Sequence, residues 1–253
     1  MDYLSLYTGK EVHIQGYNGV LAVTAEFVNS NSIVFSAAGT TNLNLSAGAG
    51  VNCMVAAASA NDKGVATAGT GLRTLVVIGA EGTTGNVISE TITTNGQTGV
   101  VTVNKYQAHY CMYGTSWGTG LTNAGNIDIA LKADPTNTAG VLTAPTPSMR
   151  MLAGENVSQN AIFIVPTGKT YETDRIIFGA AVQPCIALVW IMDGVSKAWT
   201  LLARVPVGNI AGGAEIPLKG CTLAAGDAIR VDALSTTAAG QIWVDVVLKR
   251  VMR

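Results

Sequence analysis

The sequence predicts an all-β protein made of two antiparallel β-sandwich or jelly-roll-like domains. Turn residues recur about every eight to twelve positions, with short β-rich runs between them, a spacing typical of sandwiches and barrels. No stretch keeps an apolar period of about 3.6 residues over three turns, so little helix is expected. A Pro-rich segment near the middle separates two such series of strands.

The N-terminal part, residues 1–133, is predicted to form one β-sandwich domain, with Met1–Lys10 as a possible N-terminal arm. Asn18-Gly19 and Asn95-Gly96 are its hairpin signals, because Asn and Gly tolerate the positive φ angles of tight turns. The stretch Ala37–Ala60 reads as loop, weak strand or an extended arm, and residues 114–120 (GTSWGTG) read as a Gly-rich loop. The predicted strands are Val12–Gln15, Val20–Val28, Ser32–Phe35, Leu72–Ile78, Val87–Thr94, Val100–Tyr106, Ala108–Tyr113 and Asn126–Leu131.

Residues 134–154 interrupt this pattern and predict a linker, because Pro135, Pro145 and Pro147 disfavour a regular central strand. Residues 155–253 then predict a second, jelly-roll-like β-sandwich. Its last strand alternates apolar and mixed positions, so one of its faces should be buried. The predicted strands here are Ala161–Val165, Tyr171–Phe178, Ile186–Met192, Ala198–Val205, Glu215–Leu218, Ala228–Leu234 and Gln241–Val251.

The chain carries few charges for its length. Charged residues make up 12% of the 253 residues, about half the usual share of roughly 25%, and the formal net charge is −1. Low surface charge promotes association, so much of the surface is expected to lie in an assembly. The alternative is a monomer whose surface is covered by Thr, Ser and Asn.

Several partner classes are not expected. Lys249-Arg250 with Arg253 is too short a basic cluster for nucleic acid. No apolar run approaches the roughly 20 residues that cross a bilayer, so no membrane partner is predicted. The N-terminus lacks a basic leader with an apolar core, which predicts synthesis in a cytoplasm.

Catalytic and metal-binding equipment is sparse. The four cysteines, Cys53, Cys111, Cys185 and Cys221, are far apart and are predicted to be buried, reduced thiols rather than zinc ligands. The only histidines, His13 and His109, lie in predicted strands and are expected to pack rather than to act as general bases. We therefore expect no cofactor, no metal and no enzymatic activity, and a β-rich hydrolase is the least favoured alternative.

The candidate partner contacts are Tyr3, Tyr7, Glu90 and Trp117. Trp117 falls in the Gly-rich segment, where an exposed indole could stack on a neighbouring chain or a sugar. Local packing is the equal alternative for this side chain. The other three tryptophans, Trp190, Trp199 and Trp243, lie in predicted strands and are expected in the core.

One region carries a more specific pattern. Residues 58–131 contain an AND loop, a GTG segment followed by Leu-Arg-Thr, the hairpin ISETITTNGQT and the closing strand TNAGNIDIAL. This order resembles structural proteins of tailed-bacteriophage virions, with head decoration or cement modules as the nearest type. The segments VPTGKT and TLAAGDAIRV resemble β-sandwich modules of the same class, so the resemblance covers about two thirds of the chain.

The resemblance implies a virion protein assembled in the bacterial cytoplasm. Its expected partners are the major capsid protein and copies of itself, most simply as a homotrimer. The hairpin would be rigid, Glu90 would face solvent or a partner, and neighbouring edge strands would be open to strand addition. A tail, vertex or fibre component that contacts host glycan is the alternative.

Overall fold

The computed structural model describes residues 3–21, 26–27, 49–145, 147–181, 184–208, 210–218, 220–235 and 240–251. Strands dominate these residues and pair in antiparallel sheets, which confirms the predicted all-β fold class. The only helical segment among them is a single turn, α1 (Ser5–Thr8). Within the described part of the chain, no helix is long and apolar enough to cross a membrane.

The strands are numbered along the chain. They are β1 (Glu11–Leu21), β2 (Glu26–Phe27), β3 (Val51–Ala57), β4 (Leu72–Glu81), β5 (Val87–Thr93), β6 (Val100–Trp117), β7 (Ile127–Ala130), β8 (Thr136–Thr138), β9 (Val141–Ala144), β10 (Met149–Met151), β11 (Val157–Gln159), β12 (Ile162–Ile164), β13 (Tyr171–Ala181), β14 (Cys185–Met192), β15 (Trp199–Val207), β16 (Ile210–Pro217), β17 (Thr222–Leu223), β18 (Ala228–Ser235) and β19 (Gly240–Arg250).

The first compact unit, unit 1, consists of Met1–Leu43, Thr84–Val87 and Asn160–Arg253. One of its sheets has the strand order β1-β19-β13-β16 with β17 beside β13, and the other has β12-β18-β14-β15 with β2 beside β18. The alternation predicted for the last strand is present, since Ile242, Val244 and Val246 are buried. The two sheets meet in the core, for example where the rings of Phe163 and Tyr171 make an edge-to-face contact at 5.6 Å.

Unit 2 consists of Asn44–Thr83 and Ile88–Gln159. Its main sheet has the order β10-β7-β3-β6-β4-β5, with β11 beside β6, and β8 and β9 form a separate hairpin. Strand β6 is long enough to pair with two neighbours in succession, with β3 in its first part and with β4 from Tyr106 to Trp117. The buried apolar core of this unit includes Leu75, Tyr106, Met112 and Ile129.

The two units do not follow the predicted boundaries at 133 and 155. Residues 11–21 form β1, which pairs with β19 from Glu11–Lys249 to Leu21–Gly240 and therefore belongs with the C-terminal part of the chain. The predicted linker 134–154 contains β8, β9 and β10 and lies inside unit 2. Strand pairing between distant segments leaves no local sequence signal, which explains the difference.

Individual strands also differ from the prediction. Asn18-Gly19 is not a hairpin turn: the chain stays extended as part of β1, with a register irregularity between Asn18 and Leu21. The predicted loop at 114–120 begins later, because β6 runs without interruption to Trp117. Strand β3 was hidden in the low-complexity stretch Ala37–Ala60, and the predicted strand Ser32–Phe35 lies outside the described residues.

Three of the motif segments meet at one buried carboxylate in unit 2. The side chain of Asp62, from the AND loop, is fully buried. Its Oδ1 accepts hydrogen bonds from the Leu72 N–H at 2.7 Å and the Ala124 N–H at 2.8 Å, and its Oδ2 accepts from the Gly125 N–H at 2.8 Å. Asp62 therefore ties its own loop to the GTGL segment and to the TNAG segment, and this explains why these short motifs occur together.

Candidate interaction surface

Trp117 packs against its own unit, which is one of the two alternatives that the sequence left open for this side chain. It is the last residue of β6, is half-buried and packs against the core of unit 2. Its indole Nε1 donates a hydrogen bond to Asn156 Oδ1 at 2.8 Å, and the same oxygen accepts from the Asn123 N–H at 3.1 Å. This arrangement fixes the ring against its own unit and leaves it a poor stacking platform.

The two candidate tyrosines near the N-terminus differ from each other. Tyr7 lies on α1 and is fully buried, so the prediction that it contacts a partner is wrong. A one-turn helix next to β1 has enough apolar residues to fold onto the sheet, and Tyr7 is the residue it buries. Tyr3 precedes the helix and is half-buried.

The tryptophans and the single histidine of unit 1 are partly at the surface. Trp243 is 38% exposed, and Trp190 and Trp199 are half-buried, so the expectation of three core tryptophans is wrong for Trp243. His13 Nδ1 lies 2.9 Å from an Asp245 carboxylate oxygen across β1 and β19.

His109, in unit 2, is enclosed and paired. It is fully buried, and its Nδ1 lies 2.6 Å from Ser148 Oγ. Burial lowers the pKa of His109 to about 3, so the ring is neutral at physiological pH. The Ser148 hydroxyl donates its single proton to the Ile129 carbonyl at 3.1 Å, as expected of a polar pair that packs inside a sheet.

Glu90 has a structural function that the sequence did not indicate. It lies on β5 and is half-buried, and its carboxylate is turned toward the first part of β6. Oε1 accepts a hydrogen bond from the Val103 N–H at 2.8 Å, and Oε2 accepts from the Asn104 N–H at 2.9 Å. The carboxylate thus binds two consecutive amides of its own unit.

The two amides belong to a bulge in β6. Asn52 pairs with Lys105 and Met54 pairs with Val101, so the single residue Cys53 of β3 lies opposite Thr102, Val103 and Asn104. Extra residues in a strand leave main-chain groups without ladder partners. In this bulge, side chains of unit 2 supply the missing hydrogen-bond partners.

Side chains bind the main-chain groups of the bulge. Asn52 Nδ2 donates to the carbonyls of Thr102 and Val103, both at 2.9 Å. Thr102 Oγ1 accepts from the Cys53 N–H at 2.9 Å and donates to the Asn104 carbonyl at 2.8 Å. Together with Glu90, these bonds satisfy both polar main-chain groups of Val103 and of Asn104.

The bulge presents an apolar side chain to solvent. Val103 is 86% exposed and Val101 is 44% exposed. An open depression of about 360 Å³ lies beside the bulge and shares Asn52 with it; its lining also includes Lys105, Leu131 and Lys132.

Sequence reasoning selected only Glu90 from this region. The alternation of Val101, Val103 and Lys105 against the intervening residues was a usable signal, because a lysine on the same strand face marks that face as solvent-exposed. Asn52 and Thr102 carried no such signal, since their function depends on the pairing of β3 with β6.

Comparisons with known proteins do not define a family. No family model matches the chain, and no curated protein matches it. Solved structures that it resembles include a tryptic core variant of Bacillus thuringiensis Cry1Da, at 11% identity over 92% of this chain and 53% of that chain, with a TM-score of 0.23. The Gx and Gt strains of infectious bursal disease virus follow at 10% and 9% identity, over 95% and 96% of this chain and 75% and 77% of those chains, each with a TM-score of 0.20. The chain thus spans about half the length of the Cry1Da chain, and TM-scores this low carry no argument about its function.

Proposed function

We propose that this chain is a structural component of a tailed-phage virion, most simply a head decoration protein that bridges major capsid subunits. It acts by binding and not by catalysis. The observation that carries the proposal is the clamped bulge of β6, in which side chains hold the main chain so that Val103 is presented to solvent. The motif resemblance supplies the phage context.

The low charge of the chain also supports an assembled state. A decoration protein stabilises a shell through buried area, repeated at many equivalent positions. Stable protein interfaces typically bury about 1,200–2,000 Å² in total. Weaker individual contacts suffice where a homotrimer binds through several copies at once, because each further contact forms at high effective concentration.

The glycan-binding alternative depends on Trp117. Its ring packs on the core of unit 2 and its indole N–H is bonded to Asn156. No contact described for this side chain favours a sugar over local packing, so we do not propose this function.

Copy number in purified particles of the encoding phage tests the proposal. Quantitative mass spectrometry would measure this chain relative to the major capsid protein. Near-stoichiometric abundance, and loss of heat resistance when the chain is removed, are expected for a decoration protein. A handful of copies per particle would indicate a vertex, tail or fibre component, and absence from the particle would refute a virion function.

A further inference from the structure

The sheet β1-β19-β13-β16 of unit 1 buries one of its two sides. Ile14 and Val246 pair across β1 and β19, and both are fully buried. Because successive side chains of a strand point to opposite sides, Glu11, Trp243 and Asp245 lie on the other side of the sheet. That side is open to solvent, since Trp243 is 38% exposed and Glu11 is exposed. We call it the Trp243 face.

The ring of Trp243 lies against the neighbouring strand β13. A Cβ built at Gly179, which pairs with Trp243, would come within 2.7 Å of the indole Cε2 and 2.9 Å of Cζ2. The indole therefore occupies the space that any larger side chain at position 179 would need. Since its own sheet fixes the ring, a partner that stacks on the exposed part has little ordering entropy to overcome.

Negative charge is in excess on the Trp243 face. Cross-strand pairing, and the contact of Asp174 with Lys249, place five carboxylates there: Glu11, Glu172, Asp174, Glu215 and Asp245. Arg175 and Lys249 are the arginine and the lysine on this face among the residues that the structure describes. Five carboxylates against two cations give the face a formal charge of −3 with His13 neutral, on a chain whose net charge is −1.

Both cations are already paired within the face. Lys249 Nζ lies 2.9 Å from Asp174 Oδ1, and Arg175 Nη1 lies 2.6 Å from Asp174 Oδ2. Arg175 Nε also lies 3.6 Å from a Glu215 carboxylate oxygen. Asp174 and Glu215 thus balance the two cations, and the excess resides on the other three carboxylates.

Those three carboxylates are Glu11, Glu172 and Asp245. In the described part of the chain, the ion-pair contacts of Glu11 and Asp245 are with His13, at 4.0 Å and 2.9 Å, and not with a lysine or arginine. Glu172 is exposed on β13. Their charge therefore remains available to a partner.

Two further basic residues at the end of the sheet belong to its other side. Arg250 pairs with Tyr171, which is fully buried, and the Arg250 N–H donates to the Lys10 carbonyl at 2.8 Å. Alternation along the strands directs both residues away from the Trp243 face. They do not offset its negative charge.

We propose that the Trp243 face is a docking surface for an extended basic segment of a partner protein. An arginine of the segment stacks its guanidinium on the Trp243 indole, and neighbouring basic side chains pair with Asp245, Glu11 and Glu172. Trp243 and Lys249 are separated by roughly 20 Å along β19, which an extended segment of about seven residues spans. The inference rests on the proposed function, since the partner on a phage head is a shell protein, and it adds the chemistry of recognition.

Charge argues against other occupants. Two copies of the Trp243 face would bring like charges together, which opposes a two-fold contact of the face with itself. The phosphates of nucleic acid are repelled in the same way. No group of three or more potential ligands among the described residues could hold a metal ion. A basic segment is attracted and steered, and its binding is expected to weaken with salt.

A peptide provides the direct test. The probe is a capped peptide of alternating arginine and alanine, about eight residues long, titrated into the isotope-labelled full chain. Shifts confined to the amides of β1, β13, β16 and β19 and to the Trp243 indole N–H are expected. The affinity should fall about tenfold in Glu11→Lys/Glu172→Lys, and a lysine–alanine peptide should bind more weakly. No shifts, shifts elsewhere, or equal binding of the lysine–alanine peptide would overturn the inference.

A second measurement uses the particle. Phage heads from which the chain has been removed are mixed with wild-type or variant protein, and the bound fraction is measured by co-sedimentation. The test variants are Glu11→Lys and Glu172→Lys. The matched control is Glu155→Lys, which makes the same substitution at an exposed glutamate of unit 2.

The outcomes separate the inference from the proposed function. Weaker binding of both test variants, with the control unaffected, supports the docking surface. Undiminished binding of Glu11→Lys and Glu172→Lys overturns it and leaves the virion function standing. If wild-type protein neither binds the heads nor occurs in particles, the proposed function fails, and the peptide titration alone decides whether the face takes a basic segment.

Discussion

Replacing Asp62 by Asn should destabilise unit 2 more than any change at an exposed carboxylate. Asn keeps one oxygen, which can still accept the N–H groups of Leu72 and Ala124, but its amide N–H₂ then faces the Gly125 N–H. One hydrogen bond to a charged acceptor is lost and two buried donors oppose each other. Because such a bond contributes about 1.5–3 kcal/mol, we expect a loss of about 2–3 kcal/mol in the free energy of unfolding.

Buried thiols give a local readout of this effect. Cys53 and Cys111 belong to unit 2 and are fully buried, so a thiol reagent reaches them only when that unit opens. A loss of about 2–3 kcal/mol should raise their labelling rates about 30- to 160-fold. Cys185, which is buried in unit 1, serves as an internal reference for opening of the other unit.

The control is Asp134→Asn, which makes the same chemical change at a carboxylate that is 88% exposed. It should leave both labelling rates within about twofold of wild type, since surface substitutions usually change stability by less than about 0.5 kcal/mol. Unchanged labelling of Cys53 and Cys111 in Asp62→Asn would refute the idea that this carboxylate joins the three motif segments.

Three further predictions concern single groups. Burial raises the pKa of Asp232 to about 6, whereas the pKa of an aspartate in the unfolded chain is about 3.9. The folded state therefore holds this proton more tightly, and the free energy of unfolding should fall by up to about 3 kcal/mol from pH 4 to pH 7. Urea titrations at several pH values measure this fall, which should be absent in Asp232→Asn. In Glu90→Gln, hydrogen exchange of the Val103 and Asn104 amides should quicken about tenfold, because one of two charge-assisted bonds is lost; equal protection in the variant would contradict the clamp. At pH 8 an alkylating reagent should modify half-buried Cys221 before the other three cysteines, as peptide mapping by mass spectrometry would show; early modification of any buried thiol would contradict the described burial.

Local patterns in the sequence were enough for the fold class and for most strands. Leu72–Ile78 and Val87–Thr94 fall within or one residue beyond β4 and β5, because each carries its own apolar pattern and is bounded by turn residues. The same rules missed β3, whose Ala- and Gly-rich surroundings hide a short apolar run. They also wrongly predicted a turn at Asn18-Gly19, where pairing of β1 with β19 outweighs the local turn preference.

The candidate surface was less predictable because it depends on long-range pairing. Glu90 was selected as a residue that faces solvent or a partner, yet its carboxylate is used inside the unit. Its bonding requires that two amides of β6 lack ladder partners, and that follows only from the register of β3 against β6. A single residue such as Glu90 could therefore be selected from the sequence, whereas the bulge that determines its hydrogen bonds could not be predicted.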